Sequence, residues 1–271
     1  MRNLISRLWV IVLIMLGMVA PCYAEKIVIE GSTTVLPIAQ RAAEVFMDSN
    51  PAADISVRGG GSGVGIASLI DGTCDIADAS RPIKDSELEK AASNGRSPKA
   101  NVVAMDGICV VVNTANAVNG LTRKQVKDIY TGKISNWKEA GGSDSKIVVI
   151  SRDSSSGTFE AFGELVLKGE KARPDALLQA SNQAVVSAVS RTPGAIGYAG
   201  LGYLTSSVKA IDIDGVKPSK ESVLTGSYGI GRPLFMYTDG KPKRAVKNFI
   251  DFVLSERGQR LVEEEGFVGL K

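Results

Sequence analysis

The chain has 271 residues, of which 44% are hydrophobic and 23% charged, with 29 glycines and a formal net charge of +3. This composition is typical of a folded globular protein with one large domain or two modest ones. The sequence contains no histidine, which excludes Ser-His-Asp and Cys-His nucleophile systems and ordinary His-rich zinc sites.

Residues 1–24 are typical of a secretory signal peptide. Arg2 and Arg7 precede an apolar run over 8–20. Small residues occupy the −3 and −1 positions of a cleavage site after Ala24. The run is too short to span a bilayer comfortably, so an uncleaved N-terminal anchor is the weaker alternative. We therefore expect a periplasmic protein.

Cleavage after Ala24 would leave 30 basic and 29 acidic residues, because the removed segment carries two arginines and no acid. A net charge of +1 provides no global attraction to nucleic acid or to an anionic membrane. Any anion binding must therefore come from a local arrangement of residues.

Two cysteines, Cys74 and Cys109, lie beyond the signal peptide. Both occur in apolar stretches that are typical of strands, which favours buried free thiols, although an oxidising compartment would permit a disulfide. Two separated cysteines do not indicate a thiolate metal cluster. The sequence predicts neither a metal nor another cofactor.

The first part of the mature chain alternates strands with helices. The hydrophobic pattern predicts strands over 26–30, 54–57 and 74–79, with helices from about 35 and over 66–70. A strand, a polar turn and a helix in repetition indicate a parallel α/β sheet. In such sheets ligands bind at the carboxyl ends of the strands.

A second α/β unit follows. A β-rich run over 102–113 is interrupted by Asp106-Gly107, and helices over 122–130 and 182–190 alternate with strands over 146–151 and 195–199. A helix is also predicted after Thr158. A strand over 234–238 and one or two helices over 245–264 end the chain. We predict a discontinuous lobe 1 (25–110 plus 232–271) and a lobe 2 (111–231).

Three loops between predicted strands and helices are rich in serine, threonine and glycine. Free amides at a helix N-terminus, its dipole and capping hydroxyls together form an anion site. One such loop is equally consistent with simple capping, but three in one chain favour anion binding. The glycine-rich loops among them do not end in the Gly-Lys-Ser/Thr sequence of a Walker phosphate-binding motif. The candidate residues of these loops are Ser32, Thr33, Thr34, Ser62, Ser156, Gly157 and Thr158.

Two arginines lie next to predicted strand ends. Arg81 follows the strand over 74–79, and Arg152 precedes the Ser154-Ser-Ser-Gly-Thr158 loop. A guanidinium group suits tetrahedral oxyanions because it makes bidentate, charge-assisted hydrogen bonds. Arg58 is interpreted instead as a solvated surface residue.

Several segments resemble the phosphate-specific substrate-binding proteins of ABC transporters, within the type II periplasmic-binding-protein class. The resemblance covers nearly the whole mature chain. It is carried by Gly31-Ser-Thr-Thr-Val-Leu-Pro37, Gly61-Ser-Gly63, Ala79-Ser-Arg-Pro82, Ile129-Tyr-Thr-Gly-Lys-Ile-Ser-Asn-Trp137, Arg152-Asp-Ser-Ser-Ser-Gly-Thr158 and Pro193-Gly-Ala-Ile-Gly-Tyr198.

The resemblance implies a fold of two α/β lobes, each a mainly parallel sheet flanked by helices, joined by a two-stranded hinge and closing on phosphate. It implies that Thr33, Thr34 and Ser62 bind from one lobe. The same resemblance places a second group of ligands on the other lobe: Arg152, Ser156, Gly157 and Thr158.

The chain departs from some members of that family at Arg81, where they carry an aspartate that accepts the proton of phosphate. Rejecting sulfate still requires an acceptor, because a carboxylate facing a fully ionised oxyanion is repulsive. Asp106 is our first candidate for this acceptor, and Asp153 is the second. A simple turn residue is the alternative interpretation of Asp106.

We expect a monomeric protein without enzymatic activity that binds inorganic phosphate and delivers it to a membrane permease. Alternatives are the same fold binding sulfate, molybdate or tungstate, a phosphate sensor, and a secreted phosphatase. The phosphatase is the least favoured of these, because nothing in the sequence would activate a loop serine.

Overall fold

The computed structural model describes residues 25–270. The predicted signal peptide lies outside these residues. None of the helices within residues 25–270 combines the length and the hydropathy of a membrane span.

The described chain alternates strands and helices, as predicted. The longer strands are β1 (Glu25–Gly31), β2 (Ala53–Gly59), β3 (Ile76–Ala79), β4 (Pro98–Asn113), β6 (Val148–Arg152), β8 (Ala195–Gly200) and β11 (Gly231–Asp239). Four short strands complete the set: β5 (Gly120–Leu121), β7 (Leu177–Gln179), β9 (Val208–Ala210) and β10 (Asp212–Ile213).

Nine α-helices are found within residues 25–270. They are α1 (Leu36–Ser49), α2 (Ser62–Asp71), α3 (Asp85–Ser93), α4 (Arg123–Tyr130), α5 (Gly157–Phe162), α6 (Asn182–Arg191), α7 (Lys220–Leu224), α8 (Arg244–Val253) and α9 (Glu256–Glu264). Helix α5 continues as a π-helix over Gly163–Leu167. Short 3-10 helices occupy Trp137–Ala140 and Leu201–Tyr203.

The main sheet has the strand order β2-β1-β3-β11-β4-β8-β6-β7. The outer pairs are parallel, whereas β11 pairs antiparallel with β3 and β4, and β4 pairs antiparallel with β8. The first part of β4, over 98–107, pairs with β11, and its second part, over 108–112, pairs with β8. One strand therefore runs through both halves of the sheet, and the predicted α/β architecture is confirmed.

Two details differ from the sequence-based expectations. Strand β3 begins at Ile76, so Cys74 lies before it, although it is buried. Strand β4 is not interrupted at Gly107, which stays paired with Gly231. The closing helical region, predicted as one or two helices, is two helices, because Ser255 starts α9 by accepting a hydrogen bond from the Gly258 amide at 3.2 Å.

Distant parts of the chain share one hydrophobic core. Ile27 and Ile29 of β1 pack in the same cluster as Phe249 of α8 and Phe267 near the chain end. The Phe46 ring of α1 meets the Phe249 ring edge-on at 5.5 Å. A second cluster contains residues of β4, α4, α5 and β8. The predicted lobe boundaries, at 110/111 and 231/232, stay a prediction.

Cys74 and Cys109 are both free and buried. Burial raises the pKa of the Cys74 thiol to about 12, and the nearby Glu30 carboxylate adds to this effect. Burial likewise raises the pKa of Cys109. Both thiols therefore stay protonated and function as small apolar groups in the core.

Candidate functional site

Helix N-termini from both halves of the sheet converge beside β4. The Ser32–Thr34 loop joins β1 to α1, and Ser62 is the first residue of α2. Gly157 and Thr158 form the first turn of α5 directly after the loop that follows β6, and Asn182 begins α6. The three predicted serine- and threonine-rich loops therefore lie together.

Hydroxyl groups form the centre of this site. The Thr34 and Thr158 Oγ1 atoms lie 3.0 Å apart and share a hydrogen bond, although 124 positions separate them in sequence. The Ser62 and Ser80 Oγ atoms lie 3.3 Å apart, and the Ser80 amide donates to Ser62 Oγ at 3.0 Å. A hydroxyl both donates and accepts, so this cluster can exchange its internal bonds for bonds to an anion.

Two of the predicted serines accept hydrogen bonds from backbone amides of their own segments. Ser156 Oγ accepts from the Phe159 amide at 3.2 Å, and Ser32 Oγ accepts from the Thr34 amide at 3.1 Å. Asp153 is occupied by Ser155, whose amide donates to Asp153 Oδ1 at 2.9 Å and whose hydroxyl donates to the same atom. These contacts organise the loops around the hydroxyl cluster.

Asn182 joins this cluster and was not predicted. Its Nδ2 donates to Thr33 Oγ1 at 3.1 Å and to Thr34 Oγ1 at 3.0 Å, while its Oδ1 accepts from the Gly200 amide at 3.1 Å. The sequence signal that could have identified Asn182 was the helix-capping residue Ser181. That signal was weak, because strand β7 before it is short and has no clear sequence pattern.

Arg152 is a buried cation without an acidic partner among the described residues. Its residue exposure is 1%. Its Nε donates to the Gln179 carbonyl at 2.9 Å and its Nη2 to the Ala180 carbonyl at 3.0 Å, while Nη1 has no hydrogen-bond partner. Burial lowers the pKa of Arg152; the Asp153 carboxylate opposes this effect, and the positive charge of Arg232 adds to it. A guanidinium group in this position strongly favours a bound anion.

Arg232 is a second buried arginine that the sequence reasoning missed. Its Nη2 donates to Thr158 Oγ1 at 3.0 Å and lies 3.4 Å from Thr34 Oγ1. It pairs with Asp106, whose Oδ2 accepts from Arg232 Nη2 at 2.9 Å and from Nε at 3.1 Å. The pair follows from strand register, because Arg232 of β11 lies opposite Asp106 of β4.

Asp106 is fully buried, and its second oxygen, Oδ1, accepts from the Leu201 amide at 2.9 Å. Burial raises the pKa of Asp106, whereas Arg232 and the Leu201 amide oppose that rise. Burial lowers the pKa of Arg232, against the attraction of Asp106. Each group therefore depends on the other to stay charged in the interior.

The Arg81 guanidinium group pairs with two carboxylates in this structure. Its Nη2 lies 2.7 Å from Glu87 Oε1, and its Nε lies 3.1 Å from Glu160 Oε2. The prediction that Arg81 binds an anion stays a prediction, but its charge is already balanced here. Of the two arginines predicted from the sequence, Arg152 is the one without an acidic partner among the described residues.

The buried part of the site carries the guanidinium groups of Arg152 and Arg232 and the carboxylate of Asp106, which pairs with Arg232. The half-buried Asp153 carboxylate is a second negative charge near Arg152. Asp78 in β3 is also buried, and burial raises its pKa well above the ordinary value, which favours the neutral form of its carboxyl group. Within residues 25–270, no group of three or more histidine, cysteine or acidic residues could hold a metal ion.

Known proteins are similar to this chain over most of its length. The sequence profile of the PBP superfamily domain matches residues 20–257. The phosphate-binding protein PstS of Bacillus subtilis is 37% identical over 248 residues, which cover 90% of this chain and 80% of the relative. The corresponding protein of Borreliella burgdorferi is 36% identical over 260 residues, which cover 91% of both chains.

A solved structure is also similar throughout. It is that of a Clostridium perfringens protein assigned to the substrate-binding proteins of phosphate ABC transporters and determined with bound phosphate. The two chains are 38% identical, with a TM-score of 0.86 over 91% of this chain and 100% of the other. The chain belongs to the PBP superfamily and, within it, to the family of the PstS phosphate-binding proteins.

Proposed function

We propose that this protein binds inorganic phosphate in a cleft between lobe 1 (25–110 plus 232–271) and lobe 2 (111–231), and delivers it to the permease of an ABC transporter. The observation that carries the proposal is the buried guanidinium of Arg152, which has an unpartnered Nη1 and no acidic partner among the described residues. The PstS relatives and the phosphate-bound structure from Clostridium perfringens support phosphate as the anion.

The proposed ligands come from both lobes. They are Ser32, Thr33, Thr34 and Ser62 on one side and Arg152, Ser156, Gly157 and Thr158 on the other, with Arg232 added from its contact with Thr158. Amides and hydroxyls at helix N-termini would donate to the phosphate oxygens. The low local dielectric of a closed cleft strengthens each charge-assisted hydrogen bond.

Calorimetric titration of the mature protein with phosphate, sulfate and molybdate tests the proposal. We expect saturable phosphate binding and much weaker binding of the other two anions. Arg152→Ala should weaken phosphate binding by about 2–5 kcal/mol, the scale of a lost partner in a buried charge pair. Arg58→Ala is the matched control, because Arg58 is exposed and should leave the affinity unchanged.

Two results would contradict the proposal. Sulfate or molybdate binding more tightly than phosphate would assign the site to another oxyanion. Near-wild-type phosphate affinity in Arg152→Ala would remove Arg152 from the site, whatever the identity of the anion.

We propose that Asp106 acts on the ligand through Arg232. Its oxygens already accept from the Leu201 amide and from two nitrogens of Arg232, which supports a positioning role over direct acceptance of the phosphate proton. Asp106→Asn should then change phosphate and sulfate affinities by similar factors, with their ratio preserved. Loss of the phosphate-over-sulfate preference would instead identify Asp106 as the proton acceptor.

The proposal includes export through cleavage after Ala24 and the absence of catalysis. The intact mass of the protein recovered from the periplasm tests the cleavage. Incubation with an aryl phosphate tests catalysis, and we expect no turnover, because no described histidine or metal cluster would activate a site serine.

A further inference from the structure

Four charged side chains form a cluster beside the hydroxyl groups of the site. Arg81 follows β3, Lys84 precedes α3, and Glu87 lies in the first turn of α3. The fourth member, Glu160, lies in the first turn of α5. These residues, called the Arg81 cluster below, join elements that the predicted division assigns to different lobes.

Arg81 contacts both acids of the cluster. Its Nη1 donates to Glu87 Oε2 at 2.8 Å and its Nη2 to Glu87 Oε1 at 2.7 Å. Its Nε lies 3.1 Å from Glu160 Oε2, within ion-pair distance, although the N–H is not aligned for a hydrogen bond. Lys84 Nζ lies 2.5 Å from the same oxygen of Glu160. Two positive and two negative charges therefore balance.

The cluster is partly buried. The side-chain exposures are 6% for Arg81, 20% for Glu160 and 51% for Lys84. Burial alone would lower the pKa of Arg81, but the Glu87 and Glu160 carboxylates raise it above its ordinary value. Ion pairs with a buried member are screened less by solvent than fully exposed pairs. Solvent therefore screens the Arg81–Glu160 contact less than it screens an ordinary surface ion pair.

The cluster is mechanically linked to the site. Glu160 follows Thr158 by two residues on the same helix, and Arg81 directly follows Ser80, whose amide donates to Ser62. A rigid-body movement of the two predicted lobes that separates Thr158 from Thr34 would also move Glu160 away from Arg81. Arg81 would keep its bidentate contact with Glu87, whereas Glu160 would lose both of its partners. The Glu160 contacts therefore oppose opening specifically.

We propose that Glu160 is a positioning residue that holds the two lobes closed by pairing with Arg81 and Lys84, and so slows release of the ligand without touching it. The proposal rests on the proposed function, since it assumes that phosphate is held between the lobes. It also gives Arg81 a role in closure in place of direct anion binding.

The test is stopped-flow measurement of phosphate association and dissociation for wild type, Glu160→Gln and Glu164→Gln. Glu164 is the matched control, because it lies one turn further along, is exposed, and is outside the Arg81 cluster. Loss of the pair should accelerate dissociation about tenfold in Glu160→Gln, on the scale of a partly buried charge pair. The association rate should change little, and 1 M salt should reduce the difference from wild type.

Two rate patterns would overturn the proposal. One is a Glu160→Gln dissociation rate equal to that of wild type, and the other is an equal acceleration in Glu164→Gln. Lys84→Gln provides a graded comparison, with a smaller acceleration expected, because Lys84 is half exposed and Arg81 would still face Glu160.

Failure of wild type to bind phosphate would contradict the proposed function instead. Whether Glu160 holds the lobes closed is then decided by the distance between spin labels at Asp48→Cys and Lys171→Cys, two exposed positions in the two predicted lobes. The native cysteines are buried and do not compete for the label. Longer distances between the labels in ligand-free Glu160→Gln than in the matching wild-type background would support this role of Glu160. An unchanged distance distribution would overturn it.

Discussion

Asp78 is a buried acid for which the described residues provide no hydrogen-bond partner. The side chain lies in β3 with 1% exposure, and neither carboxyl oxygen has a partner. Burial raises its pKa well above the ordinary value. The folded protein therefore binds a proton at Asp78 that the unfolded chain releases above about pH 4.

The sign of the resulting pH dependence follows from this proton. Between the unfolded and the folded pKa of Asp78 the native state holds the extra proton, so this residue's contribution to the free energy of unfolding falls as pH rises. The slope is about 1.4 kcal/mol per pH unit. Asp78→Asn should remove that slope, making the variant more stable than wild type at pH 8 but not at pH 4.

Urea denaturation of wild type and Asp78→Asn from pH 4 to pH 8 measures this difference. Asp48→Asn is the control, because Asp48 is exposed on α1 and should give a wild-type profile. Parallel curves for Asp78→Asn and wild type across this range would show that Asp78 is not a buried, protonated acid.

Individual site residues were predictable where the chemistry is local. Thr34, Ser62 and Thr158 stand in loops whose composition and position before a helix indicate capping or anion binding. Arg232 was not predictable in this way. It meets Thr158 because β11 pairs with β4 in a particular register, and a single sequence does not specify which residues of two distant strands lie opposite each other.

At the level of elements, Gly107 shows why a local pattern can mislead. The Asp106-Gly107 step suggested an interruption, but β4 runs through it, and Gly107 lies close to another element. A Cβ atom at this position would lie 2.8 Å from Val223 Cγ2 of α7. The glycine therefore marks a close approach between elements and not a turn.

Gly157 at the start of α5 has a related role in the site. An added Cβ would lie 2.2 Å from Ser62 Oγ and 2.8 Å from Ser80 Oγ. Gly157→Ala should therefore hinder the approach of α5 to the Ser62 loop and weaken phosphate binding by about 1–3 kcal/mol, the usual cost of overpacking. The measurement is calorimetric titration with phosphate.

Gly163 provides the control on the same helical segment. A Cβ at Gly163 has no atom within 4 Å, so Gly163→Ala should bind phosphate normally and, if anything, stabilise the helix. Equal phosphate affinity in Gly157→Ala and Gly163→Ala would mean that α5 does not contact the Ser62 loop when the ligand is bound.

The whole molecule is organised so that distant segments meet twice, in the core and in the site. Residues of β1 and α1 share a core with α8, so both ends of the described chain contribute to one hydrophobic cluster. Alternating strands and helices, together with the closing amphipathic helices, predicted this arrangement in outline. The pairing of β4 with both β11 and β8 depends on non-local contacts that periodicity does not encode.

Closure of the whole molecule makes a prediction for hydrogen exchange. Four segments around Thr34, Ser62, Thr158 and Asn182 meet in the site, although they are far apart in sequence. The first amides of a helix lack partners within that helix, so phosphate and closure should protect all four segments together. The amides of α8 (Arg244–Val253), which lie in the core cluster away from the site, should exchange at the same rate with and without phosphate.

Mass spectrometry of deuterium uptake with and without saturating phosphate measures this pattern. Wild type should show protection in all four segments at the same phosphate concentration, and Arg152→Ala should lose protection in all four at that concentration. Protection confined to the segments around Thr34 and Ser62 would mean that phosphate binds to one lobe without closure. In that case the contacts of Arg152 and Thr158 would not contribute to the phosphate site, because both residues belong to the lobe that failed to respond.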